Sequence, residues 1–134
     1  MTLTATDLSG RSVLLVEDDC FTAGYLASAI QGAGAAVIGP HGSEADALAV
    51  LGSYDRAPSA AVIATHLSQG FCTTLIEMLQ AQAIPCVFTS TRPGYQLPPT
   101  WAECELLAKP YASYQVVDAV ASLLAAPLRT RLSA

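Results

Sequence analysis

The sequence predicts an α/β fold, a single doubly wound parallel sheet of five strands with helices on both faces. Short apolar runs alternate with stretches of about ten residues whose apolar side chains recur at helical spacing. Two of the runs, residues 14–16 and 60–64, contain no polar residue, which is typical of strands buried on both faces. The chain of 134 residues has the length of one domain, and 52% of it is hydrophobic, so it can bury a full core.

Five short runs are the predicted strands. They are residues 12–16, 35–38, 60–65, 86–89 and 105–108. All five are rich in apolar residues, and turn-forming residues separate them from the stretches that follow. We expect Gly39 and Pro40 to end the second strand, because proline cannot donate a hydrogen bond to a sheet.

Helices are predicted at residues 21–31, 44–52, 71–81 and 114–126, with Ser43 as the N-cap of the second. Residues 91–104 break the alternation, because Pro93, Pro98 and Pro99 cannot lie inside a helix. A shortened or irregular fourth helix, near residues 100–103, is therefore expected between the last two strands. The predicted domain covers residues 11–126, with residues 1–10 and 127–134 as tails.

Composition excludes several classes of protein. The net charge is −5, and the six lysine and arginine residues are scattered, so we expect no nucleic-acid partner. The apolar runs are too short to cross a bilayer, and the N-terminus lacks the basic and apolar regions of a signal peptide. We therefore expect a cytoplasmic protein with no membrane association. The four cysteines are too widely spaced for a zinc site and are expected to be reduced thiols.

Polar residues follow the predicted strands at the end where parallel sheets form their sites. They are Glu17, Asp18 and Asp19 after the first strand, His66 after the third, Ser90 at the fourth and Lys109 after the fifth. Carboxylate oxygens suit Mg²⁺, although Asp18 or Asp19 could instead cap the first helix. Lys109, the only lysine, is expected beside the acidic cluster, where its charge would neutralise part of the cluster.

Three segments resemble response-regulator receiver domains, the flavodoxin-like modules of two-component phosphorelay signalling. Residues 13–19 read VLLVEDD, residues 84–90 read IPCVFTS, and residues 107–111 read LAKPY. They look like the first strand of the family, its fourth strand and its lysine–proline–aromatic signature, and the resemblance extends from residue 11 to residue 126. It implies the flavodoxin-like receiver fold, with Glu17 and Asp18 as Mg²⁺ ligands and with Ser90 and Lys109 binding phosphoryl oxygens.

The third strand departs from the family pattern. Receivers carry there a phosphoacceptor aspartate in the pattern D-x-x-L, whereas residues 64–67 read ATHL and place Ala64 at the acceptor position. No other register restores an acid, because no Asp or Glu lies between Arg56 and Glu77. We therefore expect no catalytic residue, with Glu17 and Asp18 a weak or vestigial Mg²⁺ site. Ser90 and Lys109 would then be remnants of a phosphoryl site.

The expected function is that of a stand-alone atypical receiver that works without phosphorylation and is not an enzyme. Its expected partner is a signalling protein, a histidine kinase or another regulator. A homodimer would form through the last two strands and the last helix. One alternative is phosphorylation at a non-standard acceptor, His66 or Asp18. The other is a small flavodoxin-like enzyme or cofactor binder, although the acids at residues 17–19 would repel a phosphate group.

Overall fold

The main sheet has five parallel strands, as the sequence predicts. The computed structural model describes residues 7–53, 57–67, 70–91, 97, 101, 104–108 and 111–125. The strands of this sheet are β1 (Ser12–Val16), β2 (Ala36–His41), β3 (Ala60–Ala64), β6 (Cys86–Ser90) and β7 (Glu105–Ala108). Their order across the sheet is β2-β1-β3-β6-β7, so the chain reverses its winding direction after β2. This order confirms the predicted doubly wound fold.

A short antiparallel hairpin, which the sequence analysis missed, follows β3. Its strands are β4 (His66–Leu67) and β5 (Gly70–Phe71). Strands of two residues carry too little periodicity to be recognised from the sequence. Because β5 takes up residue 71, the following helix begins at residue 73 and not at the predicted residue 71.

Four helices are present among the described residues. They are α1 (Cys20–Gly32), α2 (Glu44–Ser53), α3 (Thr73–Ala81) and α4 (Ser113–Ala125). None of these helices is long and apolar enough to span a membrane. The shortened or irregular helix predicted near residues 100–103 falls mostly outside the described residues, where only residue 101 can be placed.

The second strand does not end at Gly39, contrary to the sequence prediction. It continues through Pro40 to His41, and a register shift moves its pairing with β1 past these residues. Gly39 has φ +111°, and a Cβ there would lie 2.9 Å from the Leu15 carbonyl oxygen. Proline is tolerated because β2 is an edge strand, and the irregularity is of the kind that bulges produce.

Two apolar clusters lie on opposite faces of the sheet. One joins the sheet to α1 and α4, and the other joins it to α2 and α3. Leu8 belongs to the first cluster and is only 1% exposed, and its N–H donates to the Ala33 carbonyl oxygen at 2.7 Å. Leu8, within the predicted N-terminal tail of residues 1–10, is therefore packed into the core.

Trp101 covers the core on the α2–α3 face. It is 6% exposed, and its indole N–H donates to the Oε1 atom of Gln80 on α3. Leu97 packs against the same cluster. Trp101 therefore covers the core and is not exposed to a partner. Tyr95 lies outside the described residues.

A carboxylate on α2 holds the start of α3. Cys72, at the N-cap of α3, makes no side-chain capping bond. The Leu75 N–H in the first turn of α3 instead donates to Glu44 Oε2 at 2.8 Å. This satisfies one of the amide groups that a helix leaves without a partner at its start. Glu44 therefore links two helices through residues that are 31 positions apart along the chain.

We predict that Glu44→Ala lowers the free energy of unfolding by about 1–2 kcal/mol, because it removes this cap. Asp46→Ala is the matched control, since Asp46 is exposed and also lies in the first turn of α2. It should cost about 0.5 kcal/mol or less, the size of a charge–dipole effect alone. Urea denaturation measures both values, and equal losses would show that the bond to α3 contributes nothing.

Candidate functional site

Five buried residues meet where β1, β3 and β6 end. Glu17 follows β1, Ala64 ends β3 and Ser90 ends β6. The register pairs Ala64 with Thr89, and the next residue, Thr65, donates its N–H to the Thr89 carbonyl oxygen at 2.8 Å. All five are less than 9% exposed. The structure thus brings together three of the predicted positions, Glu17, Ala64 and Ser90, on adjacent strands.

Glu17 and Asp19 are held by hydrogen bonds within the chain. Glu17 Oε2 accepts from the Asp19 N–H at 3.0 Å. Asp19 is the N-cap of α1, and its Oδ2 accepts from the Thr22 N–H at 2.8 Å and from the Thr22 hydroxyl at 2.6 Å. The sequence left the capping role open between Asp18 and Asp19, and the structure assigns it to Asp19.

Asp18 lies towards α2 and α3. It is exposed, and a Cβ on Gly42 would lie 3.7 Å from its Cα atom. The pKa of the Cys72 thiol at the start of α3 is raised to about 11. Burial is the largest cause, followed by the negative charges of Glu44 and Asp18. Cys72 is therefore a neutral thiol at physiological pH, and a poor nucleophile and metal ligand. The proximity of Glu44 and Cys72 to Asp18 could not be predicted from the sequence, because it depends on how α2 packs against α3.

His66 is half-buried in the β4–β5 hairpin. The Thr65 hydroxyl lies 2.9 Å from His66 Nδ1, within hydrogen-bond distance. This contact restrains the orientation of the imidazole ring. Lys109 lies outside the described residues, so its position beside the acids stays a prediction.

Tyr111 is a half-buried part of the site that the sequence alone did not single out. Its hydroxyl is buried beside the Thr89 side chain but makes no well-formed hydrogen bond to a described residue. Burial, and next the charge of Glu17, raise the pKa of this hydroxyl above its ordinary value, and the Thr89 side chain offsets part of the rise. Tyr111 therefore lies close enough to Glu17 to sense its charge. The LAKPY motif contains this tyrosine, but nothing in the motif indicates that its hydroxyl makes no well-formed hydrogen bond.

No protein-family model matches the chain, and no curated protein matches it. Among solved structures, a response regulator receiver protein from Sinorhizobium medicae WSM419 matches with a TM-score of 0.75 and 24% identity over 90% of this chain and 98% of that one. This chain has the receiver fold. SdrG from Sphingomonas melonis Fr1 matches with a TM-score of 0.73 and 27% identity, over 85% and 96% of the two chains. The response regulator PhyR from Brucella abortus matches with a TM-score of 0.73 and 20% identity, and this chain covers 50% of its length.

The described residues supply few side-chain oxygens at the predicted Mg²⁺ site, and its weak or vestigial character stays a prediction. No three histidine, cysteine, aspartate or glutamate side chains among the described residues lie close enough to hold a metal ion. Glu17 is buried and bound to the Asp19 amide, Asp18 is exposed towards α2, and Ala64 supplies no side-chain oxygen. Mg²⁺ requires near-octahedral oxygen coordination, so we expect weak binding.

We predict that Tyr111→Phe leaves the free energy of unfolding unchanged or raises it by about 1 kcal/mol, because a buried hydroxyl that makes no well-formed hydrogen bond is costly. Because the pKa of Tyr111 is raised, the free energy of unfolding also depends on pH. Above the ordinary tyrosine pKa of 10.0 the unfolded chain ionises before the folded one, so stability falls as pH rises. Tyr111→Phe should reduce this loss of stability at alkaline pH.

Tyr114→Phe is the control, since Tyr114 is 66% exposed and its hydroxyl is in water. Urea denaturation at neutral and alkaline pH compares the two variants with the wild type. A clear loss of stability in Tyr111→Phe at neutral pH would show that the hydroxyl is stabilising after all.

Proposed function

We propose that this protein is an atypical receiver that signals through protein–protein contacts and does not depend on phosphorylation. The observation that supports the proposal is the methyl group of Ala64 at the end of β3, where receivers carry the phosphoacceptor. Ala64 is 7% exposed and pairs with Thr89. Transfer of a phosphoryl group needs an oxygen or nitrogen nucleophile, and an alanine side chain has neither.

Hydrogen bonds within the chain hold the acids of the proposed site. The Glu17 carboxylate accepts from the Asp19 amide, and Asp19 caps α1. These bonds are intramolecular and need no ligand. Glu17 and Asp19 thus have a structural role that does not depend on phosphorylation.

An exposed aromatic patch supports the proposal that the protein binds a partner. Phe21, Tyr25 and Tyr114 are 86%, 52% and 66% exposed. Phe21 and Tyr25 are one turn apart on α1, and the Tyr25 hydroxyl accepts from the Ser113 N–H of α4 at 3.1 Å, next to Tyr114. Aromatic side chains are frequent anchors at protein interfaces.

The proposed partner is a histidine kinase or another regulator of the same signalling system. Asp19 and Asp118 are exposed close to the aromatic patch along α1 and α4, so a surface with apolar and basic side chains would fit it. A homodimer through β7 and α4 is the second arrangement that we propose. β7 is an edge strand, and its Glu105 and Ala108 are exposed.

We predict that acetyl phosphate or phosphoramidate, with Mg²⁺, adds no phosphoryl group to the wild-type protein. Intact-mass spectrometry under neutral conditions tests this and preserves acid-labile phosphohistidine. Detection of an adduct would overturn the proposal. The variants His66→Gln and Asp18→Asn would then show which of the two alternative acceptors carries it.

We predict that Ala64→Asp gains phosphorylation by the same donors and tighter Mg²⁺ binding. The new carboxylate lies on the strand next to Glu17, and like charges about 4 Å apart repel by roughly 1–4 kcal/mol. The variant should therefore be less stable than the wild type without metal and recover stability when Mg²⁺ is added.

Ala64→Asn is the matched control, because it has nearly the same shape without the charge. It should show neither the Mg²⁺ dependence nor the adduct. Thermal unfolding with and without Mg²⁺, together with intact mass, reports both effects. If Ala64→Asp folds but neither binds Mg²⁺ nor accepts phosphate, the surrounding residues do not form a receiver-type site.

A further inference from the structure

Cys86 and Cys104 lie where the two neighbouring strands β6 and β7 begin. β6 begins at Cys86, and Cys104 directly precedes β7. Since Val87 pairs with Glu105 in parallel register, extending that register by one residue places Cys86 opposite Cys104. Both side chains belong to the cluster on the α2–α3 face, so they lie on the same side of the sheet. Neighbouring strands are about 4.8 Å apart, within the Cα separation of about 4.4–6.8 Å that a disulfide spans.

The two thiols differ in their access to solvent. Cys86 is 4% exposed, and its Sγ donates to the Ile84 carbonyl oxygen at 3.4 Å. Cys104 is half-buried, and Gln80 Nε2 lies 3.9 Å from its Sγ. Burial, and next the charge of Cys104, raise the pKa of Cys86 to about 12. That the charge of Cys104 affects Cys86 at all agrees with sulfur atoms that lie near each other.

The other two cysteines lie on helices. Cys20 is exposed at the start of α1, and Cys72 is buried at the start of α3, in the same α2–α3 cluster as Cys86. Neither lies on β6 or β7, so the strand register brings only Cys86 and Cys104 together as a pair. Cys20 and Cys72 therefore serve as internal controls for chemistry that depends on the pairing.

We propose that Cys104 and Cys86 form a redox-modification site, in which a peroxide oxidises Cys104 and Cys86 then closes an intramolecular disulfide. In the first step the Cys104 sulfur attacks a peroxide oxygen, the O–O bond breaks, and a sulfenic acid and water form. In the second step the Cys86 sulfur attacks the Cys104 sulfur, the S–O bond breaks, and water leaves as the S–S bond forms. Two thiols lose two electrons and two protons, and hydrogen peroxide is reduced to two waters.

The order of the two steps follows from the burial of the two cysteines. An oxidant reaches the half-buried Cys104 more readily than Cys86, so Cys104 reacts first. Cys86 is protonated at neutral pH and becomes a nucleophile only slowly, so closure of the disulfide is the slower step. The product ties the edge strand β7 to β6 at the end of segment 91–104. This step requires no phosphoryl chemistry and does not depend on the proposed signalling role.

Trp101 reports on the same region. Its carbonyl oxygen accepts from the Cys104 N–H at 3.0 Å, and its indole is bound to Gln80, which also contacts the Cys104 sulfur. It is the only tryptophan in the chain. A change at Cys104 should therefore alter the tryptophan fluorescence, and a reductant should reverse the change if a disulfide is responsible.

The test treats the full chain carrying Cys20→Ser with hydrogen peroxide at neutral pH, because removal of the exposed cysteine prevents disulfides between molecules through that residue. We expect two of the three remaining thiols to disappear. Non-reducing peptide mapping should recover a peptide pair linked through Cys86 and Cys104, and dithiothreitol should restore both thiols and the fluorescence. Adding Cys72→Ser should leave this result unchanged, whereas adding Cys104→Ser should abolish it.

The mapping on the Cys20→Ser protein does not depend on whether the further variants fold. A disulfide that includes Cys72, or a Cys104 sulfinic acid with Cys86 still a thiol, would overturn the proposal. So would the recovery of all three thiols under conditions that oxidise an unfolded sample of the same protein.

Discussion

Burial of the central strands on both faces is the constraint on which the rest of the structure depends. β3 and β6 are buried at all five of their positions, so neither strand offers a polar face to water. Helices must therefore cover both sides, and the two apolar clusters are the result. The edge strands β2 and β7 are less constrained, and the irregular pairing at Gly39 occurs on one of them.

The same constraint creates the site. When the chain leaves a fully buried sheet, its first polar residues are still enclosed and need hydrogen-bond partners. Glu17 is bound to the Asp19 amide, and the Thr65 hydroxyl lies against His66. Tyr111 is the exception, since its hydroxyl lies beside Thr89 without forming a good hydrogen bond to a described residue. With Ala64 on the central strand, the acids of the site are held by bonds within the protein.

The two faces of the sheet are stabilised in different ways. On the α1–α4 face, apolar packing is joined by the bond from the Ser113 N–H to the Tyr25 hydroxyl, beside aromatic side chains that remain exposed. On the α2–α3 face, polar links join elements that are distant in sequence, namely Glu44 with α3 and Trp101 with Gln80. The first face has apolar surface available for a partner, whereas the second uses its tryptophan to close the core and contains the pair of thiols.

The alternation of strands and helices, the parallel sheet and Ala64 at the end of β3 could all be predicted from the sequence. The periodicity of each segment and its alternation along the chain are local patterns, and burial of the strands on both faces makes them strong. Only the tertiary structure decided the course of β2 through Gly39, the burial of Leu8 and the bond from Glu44 to α3. It also decided the surroundings of the Tyr111 hydroxyl. Each of these depends on residues that are distant in sequence and become neighbours only when the helices pack on the sheet, so no local pattern encodes them.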